Sequence, residues 1–328
     1  MTKIIGMGNA LVDIMMQIDN DLLLSELSLP KGSMQLVGSI TSQNILEKTK
    51  NLSQTLACGG SAANTIRVLA RIGAETSFFG KVGKDEYGDF YISDMINSGV
   101  ETHIIQSETP TGKAIALVSP DANRTFATHL GAACELLPED ITPNIYSGAS
   151  IFYIEGYLVQ NHELIEKSLK TAYDCDLITV LDLASFNVVE ENLDFLQKLA
   201  TNYVDIIFAN EEESFAFTGE KDTKKALEII SSYCDIAILK LGGKGSLVKS
   251  GNFIHFEPAI KINAIDSTGA GDFYAAGFLF AYTKKYTLDI CANLGTLLAG
   301  HVMEFIGPRL DEQTWFDINK KIKKYEYL

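Results

Sequence analysis

Asp266-Ser267-Thr268-Gly269-Ala270-Gly271-Asp272, running directly into FYAAGFLFAYTKK, is the most informative stretch of the chain. Its small residues let backbone approach a ligand closely. If the apolar segment after them is a helix, Gly269, Ala270 and Gly271 present unpaired N–H groups at its positive end. That is a site for a polyphosphate, or for charge developing on a transferring phosphoryl group. Asp272 then stands beside the anion, placed to take a proton from an attacking hydroxyl. The same seven residues also read as a Gly-rich turn in which Asp272 only caps the helix.

Working outward, apolar runs typical of buried parallel strands occur at 3–8, 76–80, 151–155, 178–182, 206–209 and 236–240. Helical patterns lie between them, clearest at 61–72, where Ala62, Ile66, Leu69 and Ala70 share a face and Gly73 follows as a stop. Strands alternating with helices predict an open α/β sheet, mostly parallel and covered on both faces. Two stretches break the rhythm with short strands and turns, such as Leu29-Pro30-Lys31-Gly32. The expected division is a core of residues 1–10, 38–103 and 129–328, with 11–37 and 104–128 forming a small β lid.

The sequence has 328 residues, is 46% hydrophobic and carries a formal net charge of -15. It is long enough for one large α/β domain and an attached smaller piece. So acidic a surface repels phosphate backbones and anionic lipid, which argues against nucleic acid and membranes as partners. Cys58, Cys134, Cys175, Cys234 and Cys291 are scattered and form no C-x-x-C pair, as expected of reduced core thiols in a cytoplasmic protein. The five histidines are equally dispersed and suggest no zinc site. Lys81, Lys84, Lys113 and Lys244 each follow a glycine, but none precedes Ser or Thr, so there is no Walker loop. Gly6 and Gly8 lack the third glycine of a dinucleotide fingerprint.

DSTGAGD, the Gly59-Gly60 pair in CGGSAANTIRVLARIG, and GKVGKDEYG at 80–88 together resemble the ribokinase family, also called the phosphofructokinase B family. The resemblance runs in order from GMGNALVD at 6–13 to GTLLAGHVMEFIG at 295–307. Within the family, GMGNALVD, GSMQLV at 32–37 and NRTFATHLGAAC at 123–134 are similar to adenosine kinases. The family implies a ribokinase-like fold and an ATP-dependent kinase using Mg²⁺, with a monovalent cation as a further candidate. Its acceptor is a nucleoside or sugar, and its relatives are monomers or homodimers.

By that resemblance Asp272 is the catalytic base and Gly269, Ala270 and Gly271 are the anion hole, with Arg124 neutralising phosphate charge when the lid closes. Asp13, Gly59, Gly60 and Asn64 match the substrate side, assisted by Asn9, with Leu36 and Tyr157 as lining candidates. Asn210 and Glu213 match an N-x-x-E motif that organises Mg²⁺, Glu213 acting through water. Lys240, Gly243, Gly245, Asp266, Thr268 and Asn293 fall on the nucleotide side. Each has a plainer reading. Asn210–Glu213 is also an acidic turn, Asp13 a strand end, Arg124 a surface arginine, and Asn293 helix-surface polarity. Leu36 and Tyr157 also read as packing residues, and Gly59-Gly60, Gly243 and Gly245 as ordinary loop glycines. Two departures stand out: Ser267 replaces the usual threonine, and Gly307-Pro308-Arg309 is unlike the adenosine kinases.

Three functions remain to be separated: a nucleoside kinase, a sugar kinase, and a non-catalytic binder that keeps the fold. Retention of Asp272, Gly269–Gly271, Asn210 and Glu213 together favours the enzymes over the binder.

Overall fold

The structure, a computed structural model, describes residues 2–121 and 123–327. Its main sheet has nine strands. They are β1 (Lys3–Met7), β5 (Glu75–Gly83), β6 (Glu101–Ser107), β9 (Ala149–Glu155), β10 (Ile178–Asp182), β11 (Ile206–Asn210), β12 (Ile236–Lys240), β13 (Gly245–Ser250) and β14 (Phe253–Pro258). Their spatial order is β14-β13-β12-β11-β10-β9-β1-β5-β6. The seven strands from β12 to β6 are parallel, and the β13–β14 hairpin closes one edge antiparallel.

Two apolar layers explain why these strands read as unbroken hydrophobic runs. Neighbouring side chains on a strand point to opposite faces, so a sheet covered on both sides buries every position. On β1, Ile4 packs into one layer and Ile5 into the other; on β9, Tyr153 and Phe152 divide in the same way. The helix Ala270–Thr283 is buried along most of its length because it packs against the sheet and lies against the helices Leu288–Val302 and Ser61–Arg71. Hence its near absence of polar residues.

A second sheet has five strands in the order β3-β8-β7-β2-β4: β2 (Leu11–Gln17), β3 (Met34–Leu36), β4 (Gln54–Gly59), β7 (Gly112–Val118) and β8 (Arg124–His129). It differs from the expected lid at two strands. Residues 101–107 pair with β5 in the main sheet, so only β7 and β8 of the 104–128 segment belong to the small one. Conversely β4, placed with the core from sequence, pairs with β2. Strand pairing is a long-range choice that neither segment's own pattern encodes.

Of the five thiols expected in the core, only Cys58 and Cys291 are buried, while Cys134 is exposed; all five are unpaired. Among the described residues no helix is long and apolar enough to cross a membrane.

Candidate active site

Four neighbouring parallel strands end on polar residues: β9 at Glu155, β10 at Asp182, β11 at Asn210 and β12 at Lys240. Glu155 lies opposite Asp182, and Asn210 opposite Lys240, in the sheet register. A row of charge at the carboxyl edge of a parallel sheet, beside helix starts, is where such folds bind ligands.

The helix start at Gly269 faces this row. Gly269 adopts φ 79°, a left-handed conformation, and caps the helix with no side chain; the Ala270 N–H turns back to the Ser267 carbonyl at 3.1 Å, which leaves the Gly271 N–H open to an anion. Asp272 does not cap this helix. Its Oδ1 accepts from Ser61 Oγ at 2.6 Å and its Oδ2 from Asn64 Nδ2 at 3.0 Å. Burial pushes its pKa up to about 7, the two hydrogen bonds pull it back, and nearby Asp182 raises it further. A carboxylate so poised exchanges protons near neutrality, as a general base must. Lys240 reaches the same corner: a Cβ on Gly271 would stand 3.2 Å from its Nζ, which also pairs with Asp182 at 3.0 Å. Burial works against the Lys240 charge, but Asp182 and Glu213 outweigh it and hold its pKa above the ordinary lysine value.

The Gly59-Gly60 pair is fixed by sterics. A side chain on Gly59 would collide with the Asp13 carboxylate, and one on Gly60, at φ +96°, with the carbonyl of Asn9. Asp13 is half-buried, its pKa lifted to about 7 by burial against the opposing pull of Arg67, Arg309 and Arg124. Asn9 donates from both its backbone and side-chain nitrogens to Glu155, which also accepts from the N–H of Ala62 at 2.8 Å. Glu155 is 1% exposed and burial raises its pKa to about 6. Between the two sheets a cavity of about 340 Å³ brings together Asn9, Gly60, Leu36 and Tyr157 from the sequence-derived set, and adds Ser61 and Glu155.

Arg124 stands on β8 of the small sheet but reaches the loop before the helix Ala270–Thr283. It pairs with Asp266 at 2.7 Å and donates to Thr268 Oγ1 at 3.2 Å. Asp266 in turn accepts from Thr268 and from the N–H of Gly307. Asn210 and Glu213 form a reciprocal capping box at the start of the helix Glu211–Thr218. Glu213 N–H donates to Asn210 Oδ1 at 2.8 Å, and Asn210 donates to both Glu213 oxygens. Glu213 is 3% exposed, and burial lifts its pKa to about 7 against the pull of Lys240.

Some predicted residues stand apart. Asn293 is bonded to Glu257 and Tyr325 and lines a separate hollow with Leu297, Lys321 and Lys324. Gly243 sits in an exposed turn with open space about it. Gly245 opens β13, where the carbonyl of Glu257 occupies the place of a Cβ. Ser61, Glu155 and Asp182 were missed from sequence. The signal for the last two was a single acidic residue ending an apolar strand, repeated at IFYIE and ITVLD.

A doubly covered sheet whose carboxyl edge holds a poised carboxylate beside an open helix start defines a phosphotransferase acting on a small hydroxyl compound. The chain belongs to the pfkB family of carbohydrate kinases, whose model matches residues 36–315. A probable sugar kinase from Rhizobium etli is 30% identical, with a TM-score of 0.87 over 100% of this chain and 99% of that one. The adenosine kinase of Sinorhizobium meliloti is 31% identical, with a TM-score of 0.86 over 99% of each chain. The adenosine kinase of Saccharomyces cerevisiae is 27% identical over 93% of this chain and 96% of its own length. The protein is thus an ATP-dependent kinase of carbohydrates or nucleosides with a ribokinase-like fold. Kinases of this family generally use ATP and Mg²⁺.

Proposed function

We propose that the enzyme phosphorylates the 5′-hydroxyl of adenosine or a closely related nucleoside, with Asp272 as general base. The observation that carries this reading is the wall of the acceptor cavity. Leu11, Met34, Leu36, Leu130, Val188 and Tyr157 give that cavity an apolar wall, and Thr128, Gln160, Ser185, Asn187 and Glu191 join Asn9, Ser61 and Glu155 as its polar groups. A free sugar presents hydroxyls on all sides, and an apolar wall would leave several of them unpaired. A nucleoside presents a flat, largely apolar base at one end and a diol at the other. The likeness to adenosine kinases over nearly the whole chain supports the same acceptor.

Asp13 accepts hydrogens from the two vicinal ribose hydroxyls; strand pairing sets it opposite Ala57, with its carboxylate against Gly59 at the start of the acceptor side. Such a site discriminates strongly against deoxy analogues, because its acceptor is left unpaired. Ser61, which lines the acceptor cavity, and Asn64 hold Asp272 by hydrogen bonds. As the acceptor hydroxyl attacks, Asp272 removes its proton, and the N–H groups of Gly269–Gly271 with Lys240 stabilise charge on the group in transfer. Mg·ATP supplies that phosphoryl group and screens its charge. The oxygen donors of Asn210 and Glu213 suit Mg²⁺. Because each already bonds the other, contact passes through water. Arg124 lies close enough to this corner to add positive charge when the small sheet closes over it, with Gly59-Gly60 proposed as the hinge.

Release of ADP from Mg·ATP should be measured with adenosine, inosine, ribose and fructose in turn. Adenosine is expected to give kcat/KM higher than either free sugar by about 100-fold or more. Turnover with a free sugar alone would retain the kinase chemistry and discard the nucleoside.

A further inference from the structure

The chain contains only four arginines, Arg67, Arg71, Arg124 and Arg309; every other basic residue is lysine. Three of the four act on one carboxylate, that of Asp13. Arginine differs from lysine in its permanently charged planar fork, which binds several acceptors at once. Arg124 is already engaged with Asp266. Arg67 and Arg309 are joined through Asp94, on the helix Glu86–Asn97, at 3.2 and 3.7 Å.

This knot grips the root of the small sheet. Asp94 accepts from the N–H of Cys58 at 3.3 Å, while Arg67 donates to the carbonyl of the same residue at 3.2 Å. Arg67 also donates to Ser98 Oγ at 3.4 Å. Cys58 pairs with Val12 across β2–β4, Ala57 with Asp13, and Asp13's carboxylate rests against Gly59. Fixing both backbone groups of Cys58 therefore fixes the surface on which Asp13 lies. Arg309 belongs to the C-terminal loop whose Gly307 N–H is bound to Asp266, so the knot also ties the acceptor side to the nucleotide side.

Resting on the reading of Asp13 as the acceptor's ligand, we infer that Arg67 and Arg309, knotted through Asp94, are positioning residues that hold the Asp13 carboxylate in place and charged for the acceptor hydroxyls. The charges whose field reaches Asp13 are those of Arg67 from the Ser61–Arg71 helix, Arg309 from the C-terminal loop, and Arg124 from β8. Tyr91 on the Glu86–Asn97 helix lies within the field of Asp13, and Cys58 adjoins Asp13 on β4. Burial holds both the Tyr91 hydroxyl and the Cys58 thiol protonated, so neither supplies a competing charge near pH 7. Against the burial that lifts Asp13, the arginines work to keep it ionised. Losing one raises its pKa further, and charged Asp13 then requires a more alkaline medium.

Adenosine affinity should be measured by calorimetry without nucleotide, so that Asp272 plays no part, over a pH range spanning 7. Wild type, Arg67→Gln, Arg309→Gln and Arg309→Lys are compared, with Arg71→Gln as the outside control because Arg71 contacts Glu312 and Trp315 instead. At pH 7 each of the two neutral variants at Arg67 and Arg309 is expected to bind about tenfold more weakly. Their binding midpoints should move up by about one pH unit. Arg309→Lys should keep the wild-type midpoint, and Arg71→Gln the wild-type curve. Loss of affinity to the same degree at every pH, or an unmoved midpoint, overturns the inference in favour of a scaffolding role. Should Arg309→Gln not fold, Arg309→Met supplies the neutral comparison. Asp13→Asn separates the two readings. Unchanged affinity in Asp13→Asn removes Asp13 as the acceptor's ligand, whereas lost affinity beside an unmoved Arg309→Gln midpoint removes only the knot. If adenosine does not bind the wild type, the nucleoside reading has failed and ribose becomes the probe for the same variants.

Discussion

Two helix starts in this enzyme carry a carboxylate in their first turn, Glu213 buried and Asp272 half-buried, yet the two are held in opposite ways. At the helix Glu211–Thr218, Glu213 is bonded by Asn210, three residues away, in a box that the local sequence completes by itself. At the helix Ala270–Thr283, Asp272 is bonded by Ser61 and Asn64, 211 and 208 residues away, and the capping position holds a glycine. The pKa of each carboxyl is lifted to about 7 by burial. A carboxylate satisfied by its own helix has a structural role whatever else it does. One turned away from its helix toward another element caps nothing, and its raised pKa makes it a candidate for chemistry beyond the tie it forms between the two helices.

The contrast breaks most sharply at Asp272. Asp272→Asn keeps the shape of the group and removes the base, so kcat should fall by about 10³-fold while acceptor KM stays within about threefold. Steady-state kinetics on a variant of unchanged melting temperature would decide it, and full turnover would end the assignment. The next largest effect lies in the donors. Ser61→Ala and Asn64→Ala each remove a hydrogen bond that favours the charged form, so the pKa of Asp272 rises above about 7. A base must be deprotonated to act, so the acid limb of the kcat–pH profile should move to higher pH, with kcat at pH 7 down about tenfold. A limb that stays in place would show that another group sets it.

The smallest effect tests the other helix. Asn210→Ala loses a cap and should cost about 1 kcal/mol, read as a fall of a few degrees in Tm. Glu213→Gln keeps the Asn210 side chain, so its Tm should change less while the apparent KM for Mg·ATP rises several-fold. If both variants alter stability alone, Glu213 is a cap and nothing more.

The main sheet was legible in the sequence because burial on both faces turns a parallel strand into an apolar run, as at 178–182 and 236–240. The β13–β14 hairpin was not, since Phe253, Ile254 and Phe256 are partly exposed there and alternate like many surface segments. Asp272 and its glycines were legible because tight local geometry restricts residue type. Ser61 was hidden because a serine opening a helix is expected to cap it, and nothing nearby in the chain announces a partner 211 residues on. Glu155 and Asp182 were available as strand-end acids, but which strands would become neighbours is decided by pairing. For the same reason β4 was misplaced and the arginine knot could not be seen.

The distance between Ser61 and Asp272 also bears on when the catalytic centre comes into being. A chain leaving the ribosome has made its acceptor wall and all nine strands of its main sheet before residue 270 is added. Asp272 and its glycine turn are made after every one of those strands, and closing so long a loop ranks among the slower events of folding. A growing or prematurely ended chain therefore has pieces of the acceptor site and no means of activating a hydroxyl. Under the proposed mechanism, phosphoryl transfer waits until the segment at 266–272 has met Ser61 and Asn64.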